Sequence, residues 1–184
     1  AITAILVGGG LSVSGLLMQT LFRNPLAGPF VLGISSGASL GAALLLMGSS
    51  FFGLAFIGDI SLVMAASIGS FLVLLIVLVV ASRIRDTMAT LIIGLMFGSI
   101  TAAVVSLLAY FSEAEQLQRF IFWSYGSVGN LSWNQIGLLT LIICMGLLVS
   151  LLSTKDLNSL LLGERYAQSL GVSLKKTKYL IIIA

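Results

Sequence analysis

Histidine is absent from this 184-residue chain. That removes His-ligated metal or haem sites and His-based acid–base catalysis. There is one cysteine, Cys144, inside an apolar run, so no disulfide can form within the chain. Charge is scarce as well. Only 8% of residues are Asp, Glu, Lys or Arg, where a soluble domain carries about 25%. The net charge of +3 is too small to point to nucleic acid. No charge falls in the middle of an apolar run, which argues against a proton relay or a voltage sensor. There is no G-x-x-x-x-G-K-[ST] phosphate loop, so the chain does not bind ATP by that device. No Ser/His/Asp set and no paired intramembrane carboxylates are present, and no cofactor is expected. Residues 1–10 lack a charged stretch, so no signal peptide is visible.

What is abundant is apolar. Hydrophobic residues make up 59% of the chain, and the mean hydropathy is +1.18. This predicts a polytopic membrane protein, an all-α transmembrane helix bundle in a lipid bilayer. Charged residues divide the chain into uncharged runs at 1–22, 24–58, 60–82, 87–112 and 120–154. At about 1.5 Å per residue, each run can cross about 30 Å of hydrocarbon. The runs predict five helices and the start of a sixth, at about 1–21, 29–48, 59–82, 87–111, 132–153 and 177 onward. They form one transmembrane domain over 1–184, which reads as an excerpt because it opens and stops inside apolar runs. Alternate crossings put Arg23, Arg83, Arg85, Lys155, Arg165, Lys175, Lys176 and Lys178 on one side, and Arg119 alone on the other. Eight basic residues against one make the first side cytoplasmic.

On that side lies 156–172, DLNSLLLGERYAQSLGV, too short and too charged to span. Leu157, Leu160 and Leu161 recur at helical spacing, and Asp156 stands at an N-cap position. Gly163 can end that helix. A second amphipathic turn runs from Glu164 to Leu170, and Gly171 suits the position after a helix end. Two short helices broken at a glycine read either as a docking surface or as a solvated helical loop.

Small residues recur every four positions at Gly33, Gly37, Gly41 and at Gly94, Gly98, Ala102, Ser106. In lipid such stripes let helix backbones approach closely. Both prolines of the chain stand in the turn FRNPLAGP at 22–29, where they restrict Asn24 and Gly28 to extended conformations. The turn is either a stiff helix stop anchored by Arg23 or a constriction at the mouth of a pathway, with Asn24 as its polar side chain. On the other side, 113–125 is amphipathic and then aromatic. It reads as an interfacial belt or as a vestibule wall.

Three stretches together resemble one family. They are SVSGLLMQTLFRNPLAGPFVLGISSGASLG at 12–41, RFIFWSYGSVGNLSW at 119–133, and LNSLLLGERYAQSLGV at 157–172. In order and spacing they resemble the FecCD family, permease subunits of binding-protein-dependent ABC importers for iron–siderophores, haem and vitamin B12. The resemblance implies ten helices per subunit in a bacterial inner membrane, of which this chain covers the second to sixth and the start of the seventh. It implies a second permease subunit, an ATP-binding cassette ATPase below, and an extracytoplasmic substrate-binding protein outside. The permease itself would be no enzyme. The resemblance makes 156–172 the coupling helices, with Leu157, Leu160, Leu161, Gly163, Glu164, Arg165, Ala167, Leu170 and Gly171 toward the ATPase. It makes Asn24, Pro25 and Leu26 one cytoplasmic gate turn, and Thr87 and Met88 another. The rival reading is a secondary transporter or channel without an ATPase, which needs broken helices and buried polar groups near the midplane.

Overall fold

A charge-free run in lipid must satisfy its own backbone, and a helix does so within the segment. The computed structural model, which describes residues 1–48, 58–83, 87–129 and 131–184, holds no strand among them. Arg85 lies outside the described residues, as do the side chains of Arg83, Thr87, Met88, Glu164 and Lys175. In order come α1 (Ile2–Phe22), α2 (Ile34–Leu46), α3 (Asp59–Arg83), α4 (Thr87–Phe111), α5 (Ala114–Ser124), α6 (Trp133–Leu152), α7 (Thr154–Leu161), α8 (Glu164–Ser169) and α9 (Leu174–Ile183). Four of them carry stretches long and apolar enough to cross a membrane: Ile2–Phe22, Ile60–Val77, Leu91–Phe111 and Trp133–Leu152. The bounds of α1, α3, α4 and α6 fall within a residue of those expected.

Two expectations are corrected. The stretch 29–48 is not one helix. Pro29–Leu32 forms a 3-10 turn, Gly33 turns left-handed at φ 77°, and α2 then runs for 13 residues. Pro29 is tolerated in the first turn of a helix, so the interruption lies at Gly33, whose left-handed conformation other residues avoid. Gly33 is therefore the residue before the helix, and it still packs closely, since a Cβ there would meet Val73 Cγ1 at 3.0 Å and the Gly94 carbonyl oxygen at 3.5 Å. The last helix also starts earlier than expected, at Leu174, following Ser173 in extended conformation.

Contacts divide the chain into two units, Ala1–Pro29 with Val128–Ala184, and Phe30–Ser127. In the second unit, α2 and α3 run antiparallel with their backbones nearly touching. A Cβ added at Gly37 would stand 2.5 Å from the Gly69 carbonyl oxygen, and one at Gly41 would run into the Ala65 carbonyl. Ser70 Oγ donates to the Ile34 carbonyl across the same seam at 3.0 Å. Gly94 of α4 packs under the Val31 carbonyl, and a Cβ at Gly98 would meet Ser36 Oγ at 3.1 Å. Helix association in lipid rests on such close packing and on hydrogen bonds. Ala42, Ala43, Met47 and Val77 fill what is left and are buried.

In the first unit, α1 lies along α6, with Gly10 facing the Ile143 side chain. A capping box opens α6. Ser132 N–H donates to Gln135 Oε1 at 2.8 Å, and Gln135 N–H donates back to Ser132 Oγ at 3.4 Å, which satisfies two of the four free donors of a helix start.

Candidate functional site

The segment after α6 does not begin as a loop. Ser153 closes α6 and opens α7 with near-helical angles, φ −83° and ψ −4°. Its hydroxyl donates to the Val149 carbonyl at 3.0 Å, and it is wholly buried. Asp156 is thus not the N-cap that the sequence suggests. It sits in the first turn of α7, and its Oδ2 accepts from Thr177 Oγ1 of α9 at 2.9 Å. Thr177 is wholly buried and donates also to the Ser173 carbonyl. This contact fastens the base of α7 to α9, a role no local sequence pattern announces.

Gly163 makes the break between α7 and α8 at φ 123° and ψ 146°. This region is essentially restricted to glycine. At the far end of α8, the Gly171 N–H donates to the Gln168 carbonyl and the Val172 N–H to the Ala167 carbonyl, each at 3.0 Å, with Gly171 at φ 85°. That is the Schellman closure the glycine predicted.

The elbow has two faces. Leu160 and Ala167, expected toward a partner, point inward and are buried, and they hold the elbow to its own unit. Leu161 and Leu162 are about two-thirds exposed at 65% and 67%, and Tyr166 and Leu170 are exposed as well. Leu157 is half-buried, while Arg165 and Gly171 are exposed. Tyr166 and Leu170 stand four residues apart beyond the Gly163 break, a spacing that could have pointed to Tyr166 from the sequence.

The turn after α1 is stiff for reasons beyond its prolines. The Leu26 N–H donates to Asn24 Oδ1 at 2.9 Å, and the Ala27 N–H to the Asn24 carbonyl at 3.0 Å. Asn24 therefore spends its side-chain oxygen on its own turn. Leu26 is 84% exposed at the tip, and Ala27 is buried beneath it. Arg23 ends α1 in the left-handed region at φ 48°, alone among the described non-glycine residues in having a positive φ. That conformation costs roughly 1–2 kcal/mol for an L-residue. The Arg23 guanidinium Nη2 donates to the Leu160 carbonyl at 3.2 Å. This bond joins residues 137 apart, and the sequence gives no sign of it. The backbones of Thr87 and Met88 open α4 in the other unit.

On the remaining described surface, α5 starts with a capping box between Glu113 and Gln116. Arg119 pairs with Glu115 at 2.6 Å, and Phe120 stacks on Trp123 with ring centroids 6.2 Å apart. Phe122 and Tyr125 are exposed.

A model of the FecCD transport family matches residues 1–184. The hemin transport system permease HmuU of Yersinia pestis is 35% identical over 181 residues, which are 98% of this chain and 54% of that protein. The vitamin B12 import permease BtuC of Klebsiella pneumoniae is 34% identical over 183 residues, 100% of this chain and 54% of its own. The molybdate import permease MolB of Haemophilus influenzae is 32% identical over 184 residues, 98% of this chain and 52% of its own. A solved structure described as an inward-facing conformation of an ABC transporter of metal-chelate type superposes with a TM-score of 0.84 at 30% identity, over 99% of this chain and 56% of that one. The chain spans about half the length of the curated relatives it matches. It belongs to the FecCD transport family.

Proposed function

We propose that this chain is part of the permease subunit of an ABC importer in a bacterial inner membrane. It would carry an iron chelate, haem or vitamin B12 into the cytoplasm, with ATP hydrolysed by a partner subunit. The observation that carries the reading is the elbow of α7, Gly163 and α8. It joins a spanning helix without an intervening loop and leaves Leu161, Leu162, Tyr166 and Leu170 uncovered. An apolar row on a firmly seated element suits a protein partner, because buried apolar anchors dominate most interface centres. The basic side of the chain, which holds this elbow, faces the cytoplasm in this reading.

The division of labour is the one the family resemblance implies. This chain supplies pathway, gates and coupling surface, and the partner supplies the nucleotide site. Asn24, Pro25, Leu26, Thr87 and Met88 are assigned to the cytoplasmic gates. A second permease subunit completes the pathway, and an extracytoplasmic binding protein delivers the cargo. Siderophore, haem and corrin are all compatible with the outer aromatics, and the molybdate relative extends the range of cargo among similar proteins.

The test is reconstitution. The full-length permease, expressed with the ATPase encoded beside it, is expected to co-purify with that ATPase. In proteoliposomes it should take up the ligand of its binding protein only with ATP inside. Uptake that proceeds without ATP and follows an ion gradient would move the protein to the secondary-transporter class.

A further inference from the structure

Arg23 stands where glycine or asparagine would meet the backbone geometry with less strain. Its guanidinium reaches the Leu160 carbonyl at 3.2 Å. The same carbonyl accepts the Gly163 N–H at 3.1 Å. Leu160 thus offers the last anchored point of α7 before the glycine break. On the other side of the bond, Arg23 is followed at once by the turn that Asn24 braces through the Leu26 and Ala27 N–H groups. The Asn24 N–H is itself tied to the Gln19 carbonyl at 3.2 Å. One side chain therefore bridges two braced pieces of backbone, with no flexible segment between the bridge and either piece.

We propose that Arg23 is a positioning residue that couples the gate turn at 24–27 to the ATPase-facing elbow, so that the two move as one body during the transport cycle. This rests on the importer reading given above. The ordinary role for such an arginine is a fixed positive charge at the cytoplasmic end of a spanning helix. A lysine would fill that role equally. The role proposed here needs a donor that reaches the Leu160 carbonyl, as Nη2 does, and a lysine with its different stem and head reproduces that only in part. A strained conformation persists where the surroundings over-determine it, and the long-range bond is the feature here that glycine could not provide.

The experiment uses the complete transporter with its ATPase in proteoliposomes. Arg23→Gly keeps the left-handed turn accessible and removes the bridge. Arg23→Asn does the same with a residue that also tolerates that conformation. Both are expected to retain bound, active ATPase, while ligand transported per ATP hydrolysed falls about tenfold, the effect of losing one charge-assisted hydrogen bond from the coupled motion. Arg23→Lys should recover part of the loss. Spin labels at Leu26→Cys and Leu161→Cys, with the exposed Cys144 replaced by serine, give a second readout. With Arg23 present, their separation should stay constant between nucleotide-free and nucleotide-bound states. In Arg23→Gly it should change or broaden between them.

Transport per ATP equal to the parent in both Arg23→Gly and Arg23→Asn, with an unchanged label separation, would overturn the proposal while leaving the importer reading intact. Full recovery by Arg23→Lys with a label separation that changes between nucleotide states would assign the residue to charge alone and also overturn it. Failure of the parent permease to bind any ATPase would instead overturn the importer reading, and this inference with it.

Discussion

Gly37→Leu is expected to break the packing of α2 on α3 and to leave the full-length protein unable to assemble in detergent as a monodisperse species. The clash is with backbone, which cannot rotate aside. A Cβ at Gly37 would lie 2.5 Å from the Gly69 carbonyl oxygen and 2.9 Å from the Gly69 carbonyl carbon and Ser70 Cα. Overpacking a filled interior typically costs about 1–3 kcal/mol. Here the seam must open along its whole length, because Gly41 faces the Ala65 carbonyl one turn further on. The loss should reach the top of that range. Separation also breaks the bond from Ser70 Oγ to the Ile34 carbonyl, and a polar group left unpaired in lipid is costly. Gly98→Ala is the comparison. Its Cβ would meet only Ser36 Oγ at 3.1 Å, a rotatable hydroxyl, so that variant should stay near the parent. Size-exclusion chromatography and thermal unfolding distinguish the two. A Gly37→Leu protein with the parent's elution and melting point would show that the α2–α3 contact is not essential.

Gly163→Trp is expected to abolish ATP-driven uptake while the spanning helices remain folded. Two effects act together. Any L-residue at φ 123° and ψ 146° carries backbone strain of order 1–3 kcal/mol. That strain pulls α8 out of line with α7. The indole also projects into open space, since beyond the two chain neighbours no described atom lies within 4 Å of a Cβ at this position. The two effects can be separated. Gly163→Ala applies the strain without the bulk, and uptake should fall about tenfold, the equivalent of 1.4 kcal/mol. Gly163→Trp adds bulk on the partner's side and should remove coupling altogether. Glu164→Gln should do much less, because an exposed ion pair contributes about 0–1 kcal/mol. Transport assays with matched ATPase measurements check all three. Normal uptake by Gly163→Trp would exclude the elbow from coupling.

Much of this arrangement was legible in the sequence, and the rest has a common physical reason. The spanning helices α1, α3, α4 and α6 could be placed closely because hydrocarbon imposes one length and forbids charge, two constraints that composition records directly. Gly163 and Gly171 were legible because glycine conformations are local. The break at Gly33 was less so. It lies inside the uncharged run 24–58, which gives no boundary there. The inward turn of Leu160 and Ala167 could not be read from amphipathic spacing, which gives an apolar face but not what covers it. The partners of the small-residue stripe, Ala65 and Gly69 of α3, needed the antiparallel register. The bonds from Arg23 to Leu160 and from Thr177 to Asp156 are long-range and leave no periodic trace.

The central claim is that the elbow meets an ATPase on the cytoplasmic side. A cysteine in place of Leu161, which is 65% exposed, tests it most directly, with Cys144 replaced by serine and a cysteine in place of Gln118 as the opposite-side control. In intact cells an impermeant thiol reagent should modify the Gln118→Cys protein and leave the Leu161→Cys protein untouched. In inside-out vesicles a short bifunctional crosslinker should join the Leu161→Cys protein to the ATPase subunit. Labelling of Leu161→Cys from outside, or the absence of any adduct with a co-expressed ATPase, would contradict the account.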